Sequence, residues 1–319
     1  VADKLGSVHH YVPQGYLRRF SVGDNRNKIY AYEVNKEAYL TNVHNVAGER
    51  DFYTFKDERT GDQDAELEDA LAKVDDVGID LMRKLDDAEL GPVNMSDKDR
   101  GSILSYIAFQ HTRNPQEMRS HAQMYDVMAQ NLLELEANNK EYWHEFTKRA
   151  QGDKYDHKKA EKARQAVANR EVELRSDSND QYFLGSAMTM SKTLYKILFL
   201  QKRMIIVEAL PETSGFVTSD NPVTHYLLEE QKKWPFPFNG LGYLNAVFQF
   251  PISPKRCLLM INDDMSHPNI YQYNQDEVDR INYYTYFYAE RWIFSNINSS
   301  KFKTEFAKAN NKKPMWKMA

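Results

Sequence analysis

The stretch "SVHHYVPQGYLRRF", residues 7–20, sets two adjacent imidazoles and two adjacent guanidiniums into one short segment. A neutral imidazole can ligate a divalent metal, and one near its ordinary pKa of about 6.5 can transfer a proton. A hydrogen-bonded structural histidine is the alternative. Pro13 biases Val12 toward extended geometry, and in an extended chain neighbouring side chains point to opposite faces, so one histidine serves a pocket and the other supports it. His10 is assigned to the pocket and His9 to its support. Arg18 and Arg19 lie between the apolar anchors Leu17 and Phe20. Either guanidinium could clamp a phosphate or carboxylate through two parallel hydrogen bonds, or form a structural salt bridge to the acidic part of the chain. Glu49, ahead of "RDFY", has three candidate roles: metal ligand, general base, or partner of Arg18.

Ile103, Ile107 and Gln110 share a core spacing, so Gln110 stands where burial demands hydrogen-bond partners. Arg113 follows three residues later, just before Asn114-Pro115. This pair could face the same cavity as His10, or form a polar network that fastens its helix to the N-terminal strands. Glu68 and Asp75 are almost in line on one helix but about 10 Å apart along its axis, too far to grip one ion; they are otherwise boundary carboxylates. In "FVTSDNPV", residues 216–223, Asp220 and Asn221 stand at a strand end, where a rigid scaffold can present reactive groups. A plain Asx turn with Pro222 fixing the exit is the competing reading. The chain has no Gly-rich phosphate loop, no dinucleotide fingerprint and no His-Glu-x-x-His zinc helix. No spacing around Ser219 marks a serine-hydrolase triad.

The elements that must position these groups follow from periodicity. "NKIYAYEV" at 27–34 alternates like a strand after the turn-prone Gly23-Asp24-Asn25, and "DFYTF" at 51–55 could pair with it. Between Asp64 and Leu85, Leu67, Leu71, Val74, Leu81 and Leu85 fall at helical spacing, with Gly78 the weak link. Ser96 caps the next helix, which runs to Arg113 and stops before Pro115. Long helices are expected over 116–149 and 158–204, separated by the polar "QGDKYD". Met118, Met124, Met128, Leu132 and Leu135 form an apolar stripe on the first of these, suited to core or to a protein interface. Beyond 203, "MIIVEAL", "GFVTS", "AVFQFPI" and "RCLLMI" are short β-rich runs, followed by a helix near 275–283 and the strand "AERWIFS". The fold class is α+β: a mixed or antiparallel sheet from N- and C-terminal strands with a large helical insertion. One body is expected, with N-terminal strands and motif over 1–60, a helical region over 61–204, a β-rich region over 205–298 and a basic segment over 299–319. A two-domain alternative would cut near 205.

Composition limits the remaining classes. Hydrophobic residues make up 41% of 319, with 16 Phe and 20 Tyr, enough for a packed interior. No stretch approaches the roughly 20 apolar residues that cross a bilayer. The start lacks the zones of a secretory signal. The lone Cys257 cannot form an internal disulfide or a cysteine zinc cluster. A cytoplasmic setting without membrane association is expected. The net charge of −4 is segregated: residues 49–99 hold 17 acidic and 7 basic side chains, whereas 301–319 hold six lysines and one glutamate. Such asymmetry can steer an anion, or reflect solvated helix faces and a lysine-rich tail.

Several segments together resemble the bacterial family called domain of unknown function 4238. They are "HHYVPQGYLRRF", "AGERDFY" at 47–53, "LEDALAKVDD" at 67–76, "FQHTRNP" at 109–115, "FVTSDNPV", "FQFPISPKRCLLMI" at 248–261 and "AERWIFS" at 289–295. The resemblance implies no particular reaction. It implies that the separated polar motifs belong to one fold, and it favours convergence of His10, Arg18, Glu49, Gln110, Arg113, Asp220 and Asn221. Asp75 stands where a Glu is expected for the family, which weakens any role there that needs the longer side chain.

The leading expectation is a metal-assisted phosphodiesterase, of the nuclease kind found in bacterial defence or toxins. His10, Glu49 and Asp220 would hold a divalent Mg, Mn or Zn ion that activates water, while Arg18 and Arg113 stabilise charge on phosphate. No organic cofactor is expected. Nucleic acid or a small phosphate-containing ligand would be the substrate. The alternative is a noncatalytic protein that uses the same groups to bind a small anion, or its helical region to bind a protein partner.

Overall fold

The computed structural model describes residues 8–50, 52, 55–56, 63–64, 66–89, 95–175, 181–227, 242, 245–262 and 270–312. In chain order the elements begin β1 (Val8–His10), α1 (Gln14–Leu17), β2 (Lys28–Glu33), β3 (Tyr39–Asn42), β4 (Gly48–Arg50), β5 (Phe55–Lys56) and β6 (Gln63–Asp64). The helices α2 (Glu66–Asp86), α3 (Asp97–Thr112), α4 (Pro115–Asn138), α5 (Lys140–Gln151), α6 (His157–Ala168) and α7 (Gln181–Gln201) follow. The chain continues through β7 (Arg203–Ala209), β8 (Thr218–Ser219), β9 (Thr224–Leu227), β10 (Ala246–Pro251), β11 (Arg256–Ile261) and β12 (Ile270–Tyr273). It closes with α8 (Gln275–Tyr288), β13 (Trp292–Ser295) and α9 (Ser300–Asn311).

The architecture is α+β, and the N- and C-terminal strands do share a sheet. That sheet has the order β3-β2-β13-β8 and is antiparallel throughout. A second sheet, β12-β7-β11-β10-β9, is mixed, because β12 runs parallel to β7 while the other pairs are antiparallel. Every residue of β10 is buried, so that strand is covered on both faces, which explains its unbroken apolar run. The core under β7 and β11 gathers Val207, Phe216, Cys257, Leu259 and Ile281. Around β2 and β13 it gathers Tyr32, Val217, Ile293, Phe302 and Phe306.

The expected partner of "NKIYAYEV" was the 51–55 segment. Instead β2 lies between β3 and β13, and Phe55–Lys56 pairs with Gln63–Asp64. The remainder of "DFYTF", apart from Phe52, lies outside the described residues. The long helices expected over 116–149 and 158–204 are each divided. Asn139 ends one helix and caps the next by accepting from the Tyr142 N–H, and Arg170, with φ +58°, marks the break after α6.

By packing, the chain forms two compact units. One comprises residues 1–114 and 185–319; the other is 115–184. The smaller unit closes around Ala137, Trp143 and Val167, with the Trp143 indole N–H donating to the Ala160 carbonyl at 2.9 Å.

Within the larger unit, α2 buries Leu71, Leu81 and Leu85 as its periodicity requires, while the Leu67 side chain lies outside the described residues. Gly78, the weak link by propensity, is where α2 meets the Tyr106 ring of α3. A Cβ there would collide with that ring, coming within 2.5 Å of Cγ. Replacing an interior helical Gly with Ala ordinarily stabilises by about 1 kcal/mol. Here Gly78→Ala is expected to destabilise by about 1–3 kcal/mol, because the Tyr106 ring is fully buried and cannot yield. Urea unfolding would measure it, and a stabilised variant would refute the packing argument.

Candidate functional site

Only His10 and Arg18 of the seven expected site residues meet on one accessible surface, and they meet through residues that periodicity did not identify. β1 pairs with β4 so that His9 faces Glu49 and His10 faces Gly48. Paired antiparallel residues project to the same side of the ladder and successive ones to opposite sides. Glu49 therefore shares a face with the buried His9, and His10 emerges on the other, above Gly48. A Cβ at Gly48 would come within 2.8 Å of the Val8 side chain and 3.4 Å of the His10 ring, so the glycine chiefly admits Val8 beside the imidazole.

His10 donates from Nε2 to the His44 carbonyl at 3.1 Å. Gln14, at the start of α1, donates from its amide to Nδ1 of His44 at 3.2 Å and, at the long limit of 3.5 Å, to Nδ1 of His10. The Gln14 oxygen accepts from the Arg18 guanidinium at 3.1 Å, and Arg18 Nε donates to the Asn27 side chain at 3.1 Å. These bonds form a directed chain. Arg18 is a pure donor, so it fixes the Gln14 oxygen toward itself and the amide nitrogen toward the imidazoles. Both imidazoles then accept at Nδ1 and carry their proton on Nε2. The two rings lie 5.5 Å apart between centroids. Burial lowers the His10 pKa; the His44 carbonyl works in the opposite sense, while the His44, Arg18 and His9 charges lower it further. His10 is accordingly neutral at pH 7. Among the described residues Arg18 has no carboxylate partner, although it is exposed. The structural role foreseen for one of the two arginines falls to Arg19, which pairs with Asp86 at 2.5 Å.

Gln110 and Arg113 form a separate, buried network. Gln110 donates to the Tyr11 carbonyl at 2.9 Å and accepts from Arg113. Arg113 also reaches both oxygens of Asp75, at 2.8 and 3.2 Å, and its guanidinium lies over Phe109. Burial pushes the Asp75 carboxyl up, against the pull of Arg113. The network ties α3 to α2 and to the residue after His10, so it positions the N-terminal motif. The shorter side chain at 75 suffices for that contact. The Glu68 side chain lies outside the described residues.

Asp220 and Asn221 make a third group, at the end of β8. Asp220 is buried, and its carboxylate accepts the backbone N–H groups of Glu290, Arg291 and Trp292 at 2.7–3.0 Å. Asn114 donates to the Asp220 carbonyl at 2.7 Å, and Ser219 and Asn221 close a tight turn between them. Asp220 thus caps the chain where it enters β13. Burial raises its pKa to about 6, against the opposing hydrogen bonds from those three backbone groups.

The expected metal set does not fit this geometry. Glu49 projects from the opposite face to His10, and Asp220 is committed to backbone donors. Among the described residues no three His, Cys, Asp or Glu side chains are grouped to hold a metal ion. His44, Gln14 and Asn27, which complete the surface cluster, were not anticipated. Gln14 lies inside the quoted opening motif, but His44 sits in a single 3-10 turn, Val43–Asn45, too short for any periodicity to point to it.

A family model described as "Protein of unknown function (DUF4238)" matches residues 8–299. No curated protein and no solved structure matches. No helix among the described residues is long and apolar enough to cross a membrane.

Two outcomes follow for the buried groups. Arg113→Met strands Asp75 and should cost about 3 kcal/mol, whereas Arg113→Met with Asp75→Leu should recover more than half of it, measured by urea unfolding of both singles and the double. Additive losses would deny the coupling. For Asp220, a folded pKa of about 6 above the ordinary 3.8 means that its protonated form is favoured by folding. Wild-type stability relative to Asp220→Asn should therefore rise as pH falls from 7 to 4, by about 2–3 kcal/mol, and level off below that. A difference independent of pH would place the carboxyl in the ordinary range.

Proposed function

The chain belongs to the DUF4238 family, and because membership names no reaction, we propose from the chemistry of the surface cluster that it binds a small phosphate-bearing anion at Arg18 and His44, with His10 holding the His44 backbone in place. The carrying observation is the directed chain from Arg18 through Gln14 to the two imidazoles. It leaves an exposed guanidinium without a carboxylate partner among the described residues and, while the His10 N–H is given to the His44 carbonyl, turns the His44 ring N–H away from Gln14. Donors without a neighbouring acid are what a phosphate or carboxylate requires. Phosphate is the better match, because its several oxygens can accept from a fork and an imidazole together.

The same chain of bonds argues for binding over proton transfer. A neutral imidazole acts as a base through its unprotonated nitrogen, and here Gln14 occupies that nitrogen on both rings. Metal-assisted phosphodiester cleavage, the other expectation, lacks a gathered ligand set among the described residues, so it serves as the opposing outcome of the test. A lone, fully buried Cys257 suits a reducing bacterial cytoplasm, where nucleotides and phosphorylated metabolites are the abundant anions of this class.

Titration calorimetry with inorganic phosphate, pyrophosphate and a nucleoside monophosphate tests the reading. Arg18→Gln is expected to weaken binding about 10- to 100-fold, the worth of a charge-assisted hydrogen bond, without changing the melting temperature. Absence of binding to all three would overturn the proposal. Parallel incubation with labelled RNA and DNA in Mg²⁺ or Mn²⁺ discriminates the enzyme: metal-dependent cleavage lost in His10→Ala would replace binding with catalysis.

A further inference from the structure

Within the larger unit, a cavity of about 630 Å³ opens where the C-terminal end of α7 meets the start of α3, and it shares no lining residue with the surface cluster. A volume of this size suits a small organic ligand. Arg100, Lys202 and Arg203 give the cavity three cations, and its described lining holds no acid. The fold holds Arg100 in place. Its Nη2 donates to the Phe199 carbonyl at 3.0 Å and the Lys202 carbonyl at 2.8 Å, acceptors that the end of α7 leaves open. The guanidinium lies over the Phe199 ring, 4.7 Å from its centroid, and Tyr195 flanks that ring at 5.6 Å. Gly101 lets this wall close in, since a Cβ there would sit 3.3 Å from the Tyr195 hydroxyl.

We propose that this cavity binds a nucleoside polyphosphate, at a site separate from Arg18 and His44. With Nη2 committed to carbonyls, the Nε and Nη1 hydrogens of Arg100 have no partner among the described residues. Lys202 is buried and donates from Nζ to the Ala246 carbonyl at 2.7 Å. Arg203 is exposed, and no described carboxylate pairs with it or with Arg100, although Asp97 and Asp99 precede Arg100 in the same helix. Capping of α7 accounts for Arg100 alone. It leaves unexplained why Arg203 joins a positive pocket in a chain of net charge −4. Guanidiniums without neighbouring acids match phosphate oxygens, and several cations in one cavity match several phosphates. The nucleoside is argued from the rest of the lining. Gln201 and Asn262 each present an amide donor and acceptor, the pair that complements a base edge, and Leu200, 76% exposed, offers that base an apolar face.

Calorimetry with adenosine triphosphate, without added metal, on the Arg18→Gln chain isolates the cavity, because the surface cluster is disabled there. Saturable binding of about one equivalent is expected. Arg203→Glu and, separately, Leu200→Asp in that background should each weaken it at least 10-fold, about the worth of one charge-assisted hydrogen bond. Both side chains are exposed, so the melting temperature should not move. Inorganic tripolyphosphate should bind at least 10-fold more weakly than the nucleotide. No binding to the Arg18→Gln chain would overturn the proposal, and binding by the wild type alone would then leave the surface cluster standing. Affinity indifferent to both cavity variants would also overturn it. Equal affinity for tripolyphosphate would refute recognition of the nucleoside.

Discussion

The C-terminal end of α2 is held by two guanidiniums, and the arrangement of the larger unit depends on that grip. The last carbonyls of a helix have no partners within it. Here Arg256, from β11, takes Leu85 and, just past the helix, Ala88, while Arg19, from the N-terminal motif, adds a donor to the Met82 carbonyl one turn earlier. Arg19 also donates to the Ile252 carbonyl, and the Ser253 hydroxyl donates to Asp86, which Arg19 pairs. Three segments far apart in sequence are thereby fixed at one point. Arg256 is almost wholly buried and needs Glu208 as its counterion, at 2.6 Å, since a buried cation without one would be prohibitively costly.

With that end fixed, the rest of α2 can position α3. Gly78 admits the Tyr106 ring, Asp75 receives Arg113, and Gln110 extends the network to the Tyr11 carbonyl. From the other side, the Tyr16 hydroxyl bonds Thr218 and the Pro251 carbonyl at 2.7 and 2.6 Å, and its ring stacks on Phe250. The segment between these anchors is Val12-Pro13-Gln14-Gly15, buried at its first two residues. The backbone that carries His10 and Gln14 is thus immobilised by contacts made one and two residues away, which is how a loop site acquires a defined geometry.

This division explains what was legible in the sequence. Strands with alternating or continuous apolar runs, the Ser96 cap and the leucine spacing of α2 report local preferences, and the elements formed where those preferences indicated. The polar motifs were recognisable as unusual because a glutamine at a core spacing or an Asp-Asn turn after a buried strand requires partners. Which partners they take depends on strand register. His9 faces Glu49 because β1 meets β4 in one alignment, and a slip by one residue would have put Glu49 beside His10. Asp220 finds three backbone N–H groups some seventy residues away, a match that periodicity cannot express. His44 has no pattern of its own and joins the cluster only because the turn after β3 brings its ring against His10.

The resulting distribution of charge separates scaffold from surface. Arg19, Arg113 and Arg256 each lie against a carboxylate and are largely buried, so their positive charge is neutralised where solvent cannot screen it. Arg18, adjacent in sequence to Arg19, is bonded to the neutral amides of Gln14 and Asn27. Amides orient a guanidinium without cancelling its charge. The helical turn from α1 sends Arg19 inward to α2 and Arg18 outward toward Gln14 and the imidazoles. The adjacent arginines therefore act at different depths of one fold: one holds the helix that supports the motif, and the other, bonded among the described residues to neutral amides, carries its charge at the surface the motif presents.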